Sequence, residues 1–193
     1  MNVVAQAVSA GTLQARVAEM AASIGADFEG REPVLLGVLQ GAVPFLADLS
    51  RRLSPRVDID FLSLTRFGSE GRVAIAVDTA TPISGRHVIV VEDIVDTGLT
   101  LAYLLSLLET RGPASLTTAT LLDKRSQRIV DVPLRYRGFE VGDEFLLGYG
   151  LDWEGRYRNL PDLWAVIDLA AFRQDPAAAT RGLFGNGGDK VSA

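Results

Sequence analysis

The sequence contains no cysteine, only one histidine and no apolar run of membrane-spanning length. Without cysteine, disulfides and thiolate metal ligands are excluded, and His87 alone cannot form a multi-histidine metal site. The first residues, MNVVAQAVSAGTLQ, lack the basic start and long apolar stretch of a signal peptide. These absences predict a cytoplasmic protein with no membrane contact.

Positive charge is also scarce, because 19 Lys and Arg residues stand against 24 Asp and Glu residues, a formal net charge of −5. The basic residues are scattered, whereas a protein that binds nucleic acid normally carries a basic stripe. We therefore expect no nucleic-acid partner. An anionic ligand would be held locally, by a few cations, backbone amides or a metal ion.

Short apolar runs alternate with helical patterns along most of the chain. Helices are predicted over 12–27, with Thr12 as the cap, and over 43–53 and 98–110. Strands are predicted over 33–39, 57–64, 73–77, 87–91 and 116–122, and two short apolar runs follow at 134–139 and 145–147. This order predicts an α/β fold with a mostly parallel sheet flanked by helices. Periodicity ends near Asp175, so we expect a domain over 1–174 and a flexible tail over 175–193.

Residues 88–101 carry the most informative pattern. A buried apolar strand leads into three carboxylates and then into a helix start with two threonines and a glycine: Glu92, Asp93, Asp96, Thr97, Gly98 and Thr100. Ligands of open α/β sheets bind beyond the carboxyl ends of strands, and a helix N-terminus offers free amides to a phosphate. Carboxylates beside a phosphate require hydroxyl groups and a divalent cation, and the three groups together describe a phosphorylated ribose.

This segment resembles the phosphoribosyl-pyrophosphate motif of type I phosphoribosyltransferases, in the form typical of the hypoxanthine–guanine branch. The resemblance covers about residues 33–168 and implies the type I phosphoribosyltransferase fold, with a small hood built from N- and C-terminal segments. It implies that Glu92 and Asp93 bind the ribose hydroxyls and that Asp96 is the catalytic base at N7 of the purine. The implied contacts of the 5′-phosphate are Asp96, Thr97, Gly98, Leu99 and Thr100.

The segment Leu39-Gln-Gly-Ala resembles the pyrophosphate loop of the family, with Gln40 where relatives commonly have Lys or Arg. Leu39, Gln40, Gly41 and the downstream Arg158 are therefore implied contacts of pyrophosphate. Lys124 is the implied donor to O6 of the purine, which favours hypoxanthine or guanine over adenine. Taken alone, the loop is an ordinary strand–helix turn and Lys124 a solvated lysine.

The resemblance also assigns roles to residues after position 143. Phe145 stacks on the purine face, the Leu146 backbone reads the base edge, and Asp152 lies near the purine, the metal and the pyrophosphate. Mg²⁺ is the implied cofactor, and its implied ligands are Glu92, Asp93 and Asp152.

The expected lid departs most from the family pattern. Relatives usually carry a Ser-Tyr pair after the strand at 61–64, where this chain has Arg66-Phe67 followed by Gly68-Ser69. We expect these four residues to form a lid that closes over the site, with Arg66 reaching a phosphate. A solvated loop arginine is the alternative.

The implied activity is purine salvage, in which hypoxanthine or guanine and 5-phosphoribosyl-1-pyrophosphate give IMP or GMP and pyrophosphate. The expected partners are these small molecules and, on the resemblance only, further copies of the chain in a homodimer or homotetramer. A non-catalytic regulator on the same fold and a xanthine-preferring relative are the alternatives. A Rossmann nucleotide-binding module lacks support, because no G-x-G-x-x-G follows the first strand.

Overall fold

The computed structural model describes residues 3–54, 56–67, 72–181 and 183, with the backbone only at 66, 67, 72 and 73. The chain divides into a larger unit, Gly11–Asp143, and a smaller unit formed by Met1–Ala10 with Glu144–Ala193. Within the described ranges, no helix is both long enough and apolar enough to cross a lipid bilayer.

The regular elements follow one another in an alternating order. The strands are β1 Val4–Val8, β2 Val34–Leu39, β3 Asp58–Phe67, β4 Arg72–Val77, β5 His87–Val95, β6 Ser115–Asp123, β7 Tyr136–Glu140, β8 Phe145–Leu147 and β9 Leu163–Val166. The α-helices are α1 Ala10–Asp27, α2 Val43–Ser50, α3 Leu99–Glu109, α4 Leu169–Gln174 and α5 Pro176–Thr180, and a 3₁₀ turn spans Arg125–Gln127.

The larger unit contains a six-stranded sheet in the order β4-β3-β2-β5-β6-β7. All neighbouring strands are parallel except β3 and β4, which form an antiparallel pair. The central strands β2 and β5 are mostly apolar, as expected for strands covered on both faces. The predicted α/β fold with a mostly parallel sheet is confirmed, and the carboxyl ends of β2, β5 and β6 lie at one edge of the sheet.

Helices α1 and α3 bury apolar stripes. The predicted α1 stripe is confirmed, since Leu13, Val17, Met20, Ala21 and Ile24 are all buried. The helix begins at Ala10, so the predicted cap at Thr12 is wrong. Helix α3 buries four leucines in a cluster with residues of β2 and β5: Leu101, Leu104, Leu105 and Leu108. Each fully buried leucine contributes about 1.5–3 kcal/mol relative to an exposed one.

Several predicted boundaries are wrong. Strand β5 continues to Val95 instead of ending at residue 91, because its parallel pairing with β6 extends to Val95↔Asp123. Strand β3 continues to Phe67 and pairs antiparallel with β4, although no strand period was predicted there. Helix α2 ends at Ser50 instead of residue 53.

The smaller unit contains an antiparallel sheet in the order β1-β9-β8. Its core is formed by Val4, Leu147, Tyr157, Leu160, Val166 and Phe172. Strands β1 and β9, whose pairing joins Val4 to Val166, were not predicted from the sequence.

Two short helices follow β9. The Asp168 carboxylate accepts a hydrogen bond from the Ala171 N–H at 2.9 Å at the start of α4, and Asp175 accepts one from Ala178 at 2.9 Å at the start of α5. Residues 176–180 are therefore helical, within the segment 175–193 for which a flexible tail is predicted. The tail prediction for 182 and 184–193 concerns residues outside the described ones.

Candidate active site

A cavity of about 460 Å³ opens at the carboxyl edge of the large sheet. Its lining comes from the ends of β2 and β5, from β3, and from the turn into α3: Val38, Leu39, Leu64, Thr65, Glu92, Ile94, Val95, Asp96, Thr97, Gly98, Thr100 and Leu101. This is the position at which open α/β sheets bind ligands. It contains most of the residues predicted to bind the ribose and the 5′-phosphate.

The turn from β5 into α3 is shaped by Gly98. This residue is the N-cap of α3 and has a φ of 84°, in the left-handed region. A Cβ atom at position 98 would lie 2.3 Å from the carbonyl oxygen of Val130. Only glycine fits here without displacing the backbone. The turn thus places the residues at the start of α3 in the lining of the cavity, where helix N-terminal amides suit a phosphate.

The two adjacent acids of β5 have different positions. Glu92 lines the cavity and is only 8% exposed. Burial raises the pKa of Glu92 well above its ordinary value, and the charge of Asp93 raises it further.

Asp93 does not line the cavity. Its carboxylate packs against Gly41, where a Cβ atom would lie 1.6 Å from Oδ2. Its Oδ1 accepts a hydrogen bond from the Ile94 N–H at 2.9 Å. Of the two predicted acids, Glu92 therefore lines the cavity, and Asp93 lies against the loop that follows β2.

The predicted pyrophosphate loop connects β2 to α2. Leu39 ends β2 and lines the cavity, whereas Gln40 and Gly41 do not line it. The peptide bond between Leu39 and Gln40 is cis. The N–H of Val43 donates to the carbonyl of Gln40 at 3.3 Å, which closes the turn. The loop is thus in contact with the acidic end of β5 through Gly41 and Asp93.

Lys124 lies directly after β6, and its backbone N–H donates to the Val95 carbonyl at 2.9 Å. The ammonium donates to the Asp143 carbonyl at 3.4 Å. Hydrogen bonds from Ser126 and Gln127 lower the pKa of the Asp143 carboxyl, and the charge of Lys124 lowers it further. The structure therefore places Lys124 beside the end of β5, next to the predicted base Asp96.

Phe145 and Leu146 begin β8 in the smaller unit. Phe145 is half-buried, and its ring meets the edge of Trp153 with 5.2 Å between centroids at an interplanar angle of 82°. Trp153 in turn meets Phe172 of α4 at 5.4 Å. Leu146 is buried and pairs with Ala165 of β9. The predicted stacking residue thus belongs to an aromatic cluster.

Asp152 and Arg158 form an ion pair in the smaller unit, with 2.7 Å between Oδ1 and Nη2. Arg158 also donates to the Gly150 carbonyl at 2.6 Å, and Asp152 accepts from the Gly155 N–H at 2.7 Å. Three non-glycine residues around this pair have positive φ: Tyr149, Glu154 and Tyr157. Such strained backbone is concentrated at functional sites.

Three acids are the predicted ligands of Mg²⁺: Glu92, Asp93 and Asp152. Within the described part of the chain, no three His, Asp or Glu side chains are grouped closely enough to hold a metal ion. The assignment of Glu92, Asp93 and Asp152 as ligands of Mg²⁺ therefore stays a prediction. Mg²⁺ usually takes one or two carboxylates and completes its shell with water and substrate phosphate.

The predicted lid is only partly described. Arg66 and Phe67 are the last two residues of β3, opposite Val73 and Arg72. Gly68 and Ser69 lie outside the described residues, so the lid stays a prediction.

Sequence reasoning missed a buried ionic cluster behind the turn at 95–98. Arg128 pairs with Asp123, which is 3% exposed, and Arg137 pairs with the same carboxylate at 3.0 Å. The available signal was Asp123 itself, a charge at the end of an apolar strand, because a buried carboxylate requires cationic partners.

Comparison with known proteins identifies relatives of this chain. The phosphoribosyl transferase domain model matches residues 9–154. The chain is 41% identical over 158 residues to the hypoxanthine-guanine phosphoribosyltransferase of Bacillus subtilis (strain 168), covering 80% of this chain and 88% of that protein. It is 42% identical over 158 residues to the bifunctional protein TilS/HprT of Listeria monocytogenes serotype 4b (strain F2365), but spans only 24% of that longer protein.

The fold comparison gives the same family. A crystal structure of a hypoxanthine-guanine phosphoribosyltransferase from Bacillus anthracis matches with a TM-score of 0.82 at 42% identity, covering 84% of this chain and 98% of that chain. The family model, over residues 9–154, includes the acidic end of β5 and the turn into α3. This chain therefore belongs to the type I phosphoribosyltransferases, in the hypoxanthine–guanine phosphoribosyltransferase family.

Proposed function

We propose that this protein transfers the phosphoribosyl group of 5-phosphoribosyl-1-pyrophosphate to a 6-oxopurine, forming IMP or GMP and pyrophosphate. The observation that carries the proposal is the cavity at the sheet edge, which is lined both by buried Glu92 and by the amide turn at 96–98. A carboxylate suits the ribose hydroxyls, and helix N-terminal amides suit the 5′-phosphate.

The reaction forms a bond between a purine ring nitrogen and C1 of the ribose and breaks the bond between C1 and the pyrophosphate oxygen. Positive charge develops on the ribose ring as the leaving group departs, as in other glycosyl transfers. The purine must also lose a proton. Asp96 is exposed and lines the cavity, so its carboxylate is available to accept that proton from N7.

The base preference depends on Lys124. An ammonium group donates to an oxo substituent and repels an amino group, which favours hypoxanthine and guanine over adenine. The position of Lys124 beside Val95, one residue before Asp96, supports this role. The resemblance assigns purine stacking to Phe145 and a pyrophosphate contact to Arg158.

We propose Mg²⁺ as the cofactor, and the resemblance implies Glu92, Asp93 and Asp152 as the acids that hold it together with the substrate. Carboxylate oxygens suit Mg²⁺, and Glu92 lines the cavity while the Asp93 carboxylate lies against Gly41 of the predicted pyrophosphate loop. When bound, Mg²⁺ would neutralise charge on the pyrophosphate.

The proposed function is tested by a spectrophotometric assay with hypoxanthine, guanine, xanthine and adenine, each with and without Mg²⁺. We expect nucleotide formation from hypoxanthine or guanine, only with Mg²⁺, and none from adenine. Nucleotide from xanthine alone would favour the xanthine-preferring alternative. Nucleotide from none of the four bases would contradict the proposal and favour a regulator.

Two properties of the whole protein are proposed on the family resemblance. We expect a homodimer or homotetramer in solution, which light scattering coupled to gel filtration measures directly. We also expect the protein in the cytoplasm, where purine salvage would meet its substrates, and cell fractionation tests this. A monomer or a membrane fraction would contradict these expectations.

A further inference from the structure

We propose that Arg128 is a positioning residue for the 5′-phosphate site. It holds the backbone of residues 95–97 from behind, so that the next N–H groups point into the cavity. This inference rests on the proposed function, because the anion that the turn would bind is the 5′-phosphate of 5-phosphoribosyl-1-pyrophosphate.

Arg128 follows the 3₁₀ turn after β6, and its guanidinium serves several acceptors at once. Its Nε donates to the Asp96 carbonyl at 3.0 Å, and its Nη2 lies 3.5 Å from the Val95 carbonyl. The guanidinium also forms an ion pair with Asp123. The two side chains are only 12% and 4% exposed, so the positive charge is neutralised inside the protein. Arg128 does not line the cavity.

Backbone N–H groups near Arg128 also donate to the carbonyls of residues 95 and 97. The N–H of Lys124 donates to the Val95 carbonyl at 2.9 Å. The N–H groups of Ile129 and Val130 donate to the Thr97 carbonyl at 2.9 and 3.0 Å. Three consecutive carbonyls, at 95, 96 and 97, therefore accept hydrogen bonds from the segment 124–130. The Asp96 carbonyl is the one whose partner is a side chain.

The direction of these carbonyls fixes the direction of the amides. In a trans peptide, the C=O and the N–H of one peptide unit point to opposite sides. The N–H groups of Asp96, Thr97 and Gly98 are therefore directed away from the segment 124–130. These three residues line the cavity. Successive backbone N–H groups directed to one side form a concave anion-binding site.

The side chain of Arg128 also packs against the turn. A Cβ atom at Gly98 would lie 2.8 Å from Cδ of Arg128 and 2.3 Å from the Val130 carbonyl oxygen. The planar guanidinium, with five donors in a fixed arrangement, can serve two carbonyls and a carboxylate together. A lysine at this position would carry its donors on a single nitrogen and could not reproduce all three contacts.

Arg137 provides a matched control for the loss of charge. Its Nη1 pairs with Asp123 at 3.0 Å and lies 3.7 Å from Glu140, so it shares the carboxylate with Arg128. Replacing Arg137 by methionine removes one cation from Asp123 but keeps the hydrogen bond to the Asp96 carbonyl. Replacing Arg128 by methionine removes one cation from Asp123 and also the hydrogen bond to the Asp96 carbonyl.

The test compares the wild type with Arg128→Met, Arg128→Lys and Arg137→Met by titration calorimetry, with ribose 5-phosphate and with pyrophosphate as separate probes. We expect Arg128→Met to weaken ribose 5-phosphate binding by about tenfold or more, the effect of one charged hydrogen bond. Pyrophosphate binding should change by less than about twofold, since the loop 39–42 is not touched. Arg128→Lys should fall between these limits, and Arg137→Met should bind ribose 5-phosphate like the wild type.

Steady-state kinetics give a second readout that a loss of general stability would not reproduce. The KM for 5-phosphoribosyl-1-pyrophosphate should rise in Arg128→Met, while the KM for the purine stays near the wild-type value. Arg128→Lys supplies the same comparison if the methionine variant does not fold.

Equal losses in the Arg128 and Arg137 variants would overturn the inference, and so would wild-type ribose 5-phosphate binding in both Arg128 variants. A wild type that binds neither ribose 5-phosphate nor 5-phosphoribosyl-1-pyrophosphate would instead overturn the proposed function itself.

Discussion

Asp96 differs from the other acids of the site in its surroundings. It is exposed and lines the cavity at the end of β5, whereas Glu92 is buried in the strand. A solvent-accessible carboxylate can exchange a proton with a bound purine, while a buried one is better suited to fixed contacts with hydroxyls or a cation. The two acids are therefore expected to respond differently to substitution.

Replacing Asp96 by asparagine should lower kcat by about 10²-fold or more, because a general base contributes that much to a proton transfer. The affinity for 5-phosphoribosyl-1-pyrophosphate should stay near the wild-type value, since the amides of the turn are unchanged. Steady-state kinetics and calorimetry measure the two quantities. Asp131→Asn, at an exposed carboxylate in a nearby loop, is the control and should behave like the wild type. An unchanged kcat in Asp96→Asn would exclude this residue as the base.

Substitution of Gly98 tests two effects, the strain of a positive φ and a steric clash at the Cβ position. Alanine at position 98 meets both an unfavourable φ of 84° and the Val130 carbonyl at 2.3 Å. Gly85 has a φ of 69°, but its Cβ position is open, so Gly85→Ala carries the backbone strain alone. We expect Gly85→Ala to lower the free energy of unfolding by about 1 kcal/mol and Gly98→Ala by clearly more, with loss of phosphate binding. Urea denaturation measures both free energies of unfolding. An equal loss in the two variants would show that the turn can move away from residues 128–130.

At the level of elements, the aromatic cluster of the smaller unit connects α4 to β8. Trp153 meets both Phe145 and Phe172 edge-on, and the guanidinium of Arg173 lies 5.9 Å from the centre of its ring. An aromatic pair of this kind is worth about 0.5–1.5 kcal/mol beyond its buried area. Trp153 is therefore expected to restrict the ring of Phe145.

Replacing Trp153 by leucine should raise the KM for the purine by roughly 3- to 10-fold, as expected for the loss of about 1 kcal/mol in the placement of Phe145. The KM for 5-phosphoribosyl-1-pyrophosphate should change less. Trp164→Phe is the matched control, because it removes the Trp164 Nε1–H, a buried donor with no partner in the described residues. A purine KM that is equally raised by both substitutions would contradict the role of Trp153.

The end of α1 is joined to β7 by a second ionic cluster. Asp27 accepts hydrogen bonds from the Tyr136 hydroxyl and from Arg135, both at 2.7 Å. The hydrogen bond from Tyr136 is the main cause that holds the pKa of Asp27 below its ordinary value of 3.8, and Arg135 lowers it further. A carboxyl whose pKa is lower in the folded state stabilises the fold above its unfolded pKa and loses that contribution as the pH falls through the folded pKa.

Urea denaturation between pH 7 and pH 2.5 tests this connection. The free energy of unfolding of the wild type should exceed that of Asp27→Asn at neutral pH, and the difference should shrink below a pH of about 4. Tyr136→Phe should show a smaller difference with the same pH dependence. A difference between the wild type and Asp27→Asn that is constant over this pH range would show that the ionised form of Asp27 is not involved.

Local patterns predicted much of the molecule, because many of its elements bury their own apolar stripe. The spacing of Leu13, Val17 and Ile24 predicted the buried face of α1, and the run before Glu92 predicted the central strand. The sequence did not reveal β1 and β9, since each is short and is defined by pairing between positions as distant as Val4 and Val166.

The sequence also predicted only part of the candidate site. The acids of β5 were predicted, but their separate directions were not, because this depends on the strand continuing to Val95 beside β6. Arg128 was missed because its role comes from contacts with Asp96 and Asp123 made only in the folded chain. A pattern in one segment predicts which groups are present, whereas the partner segments determine where those groups point.

Binding of 5-phosphoribosyl-1-pyrophosphate, measured by titration calorimetry with Mg²⁺, tests the proposed sugar-phosphate site most directly. The wild type should bind one molecule per chain, ribose 5-phosphate should compete with it, and Gly98→Ala should abolish the binding. No binding by the wild type, or full binding by Gly98→Ala, would contradict a sugar-phosphate site at the turn from β5 into α3.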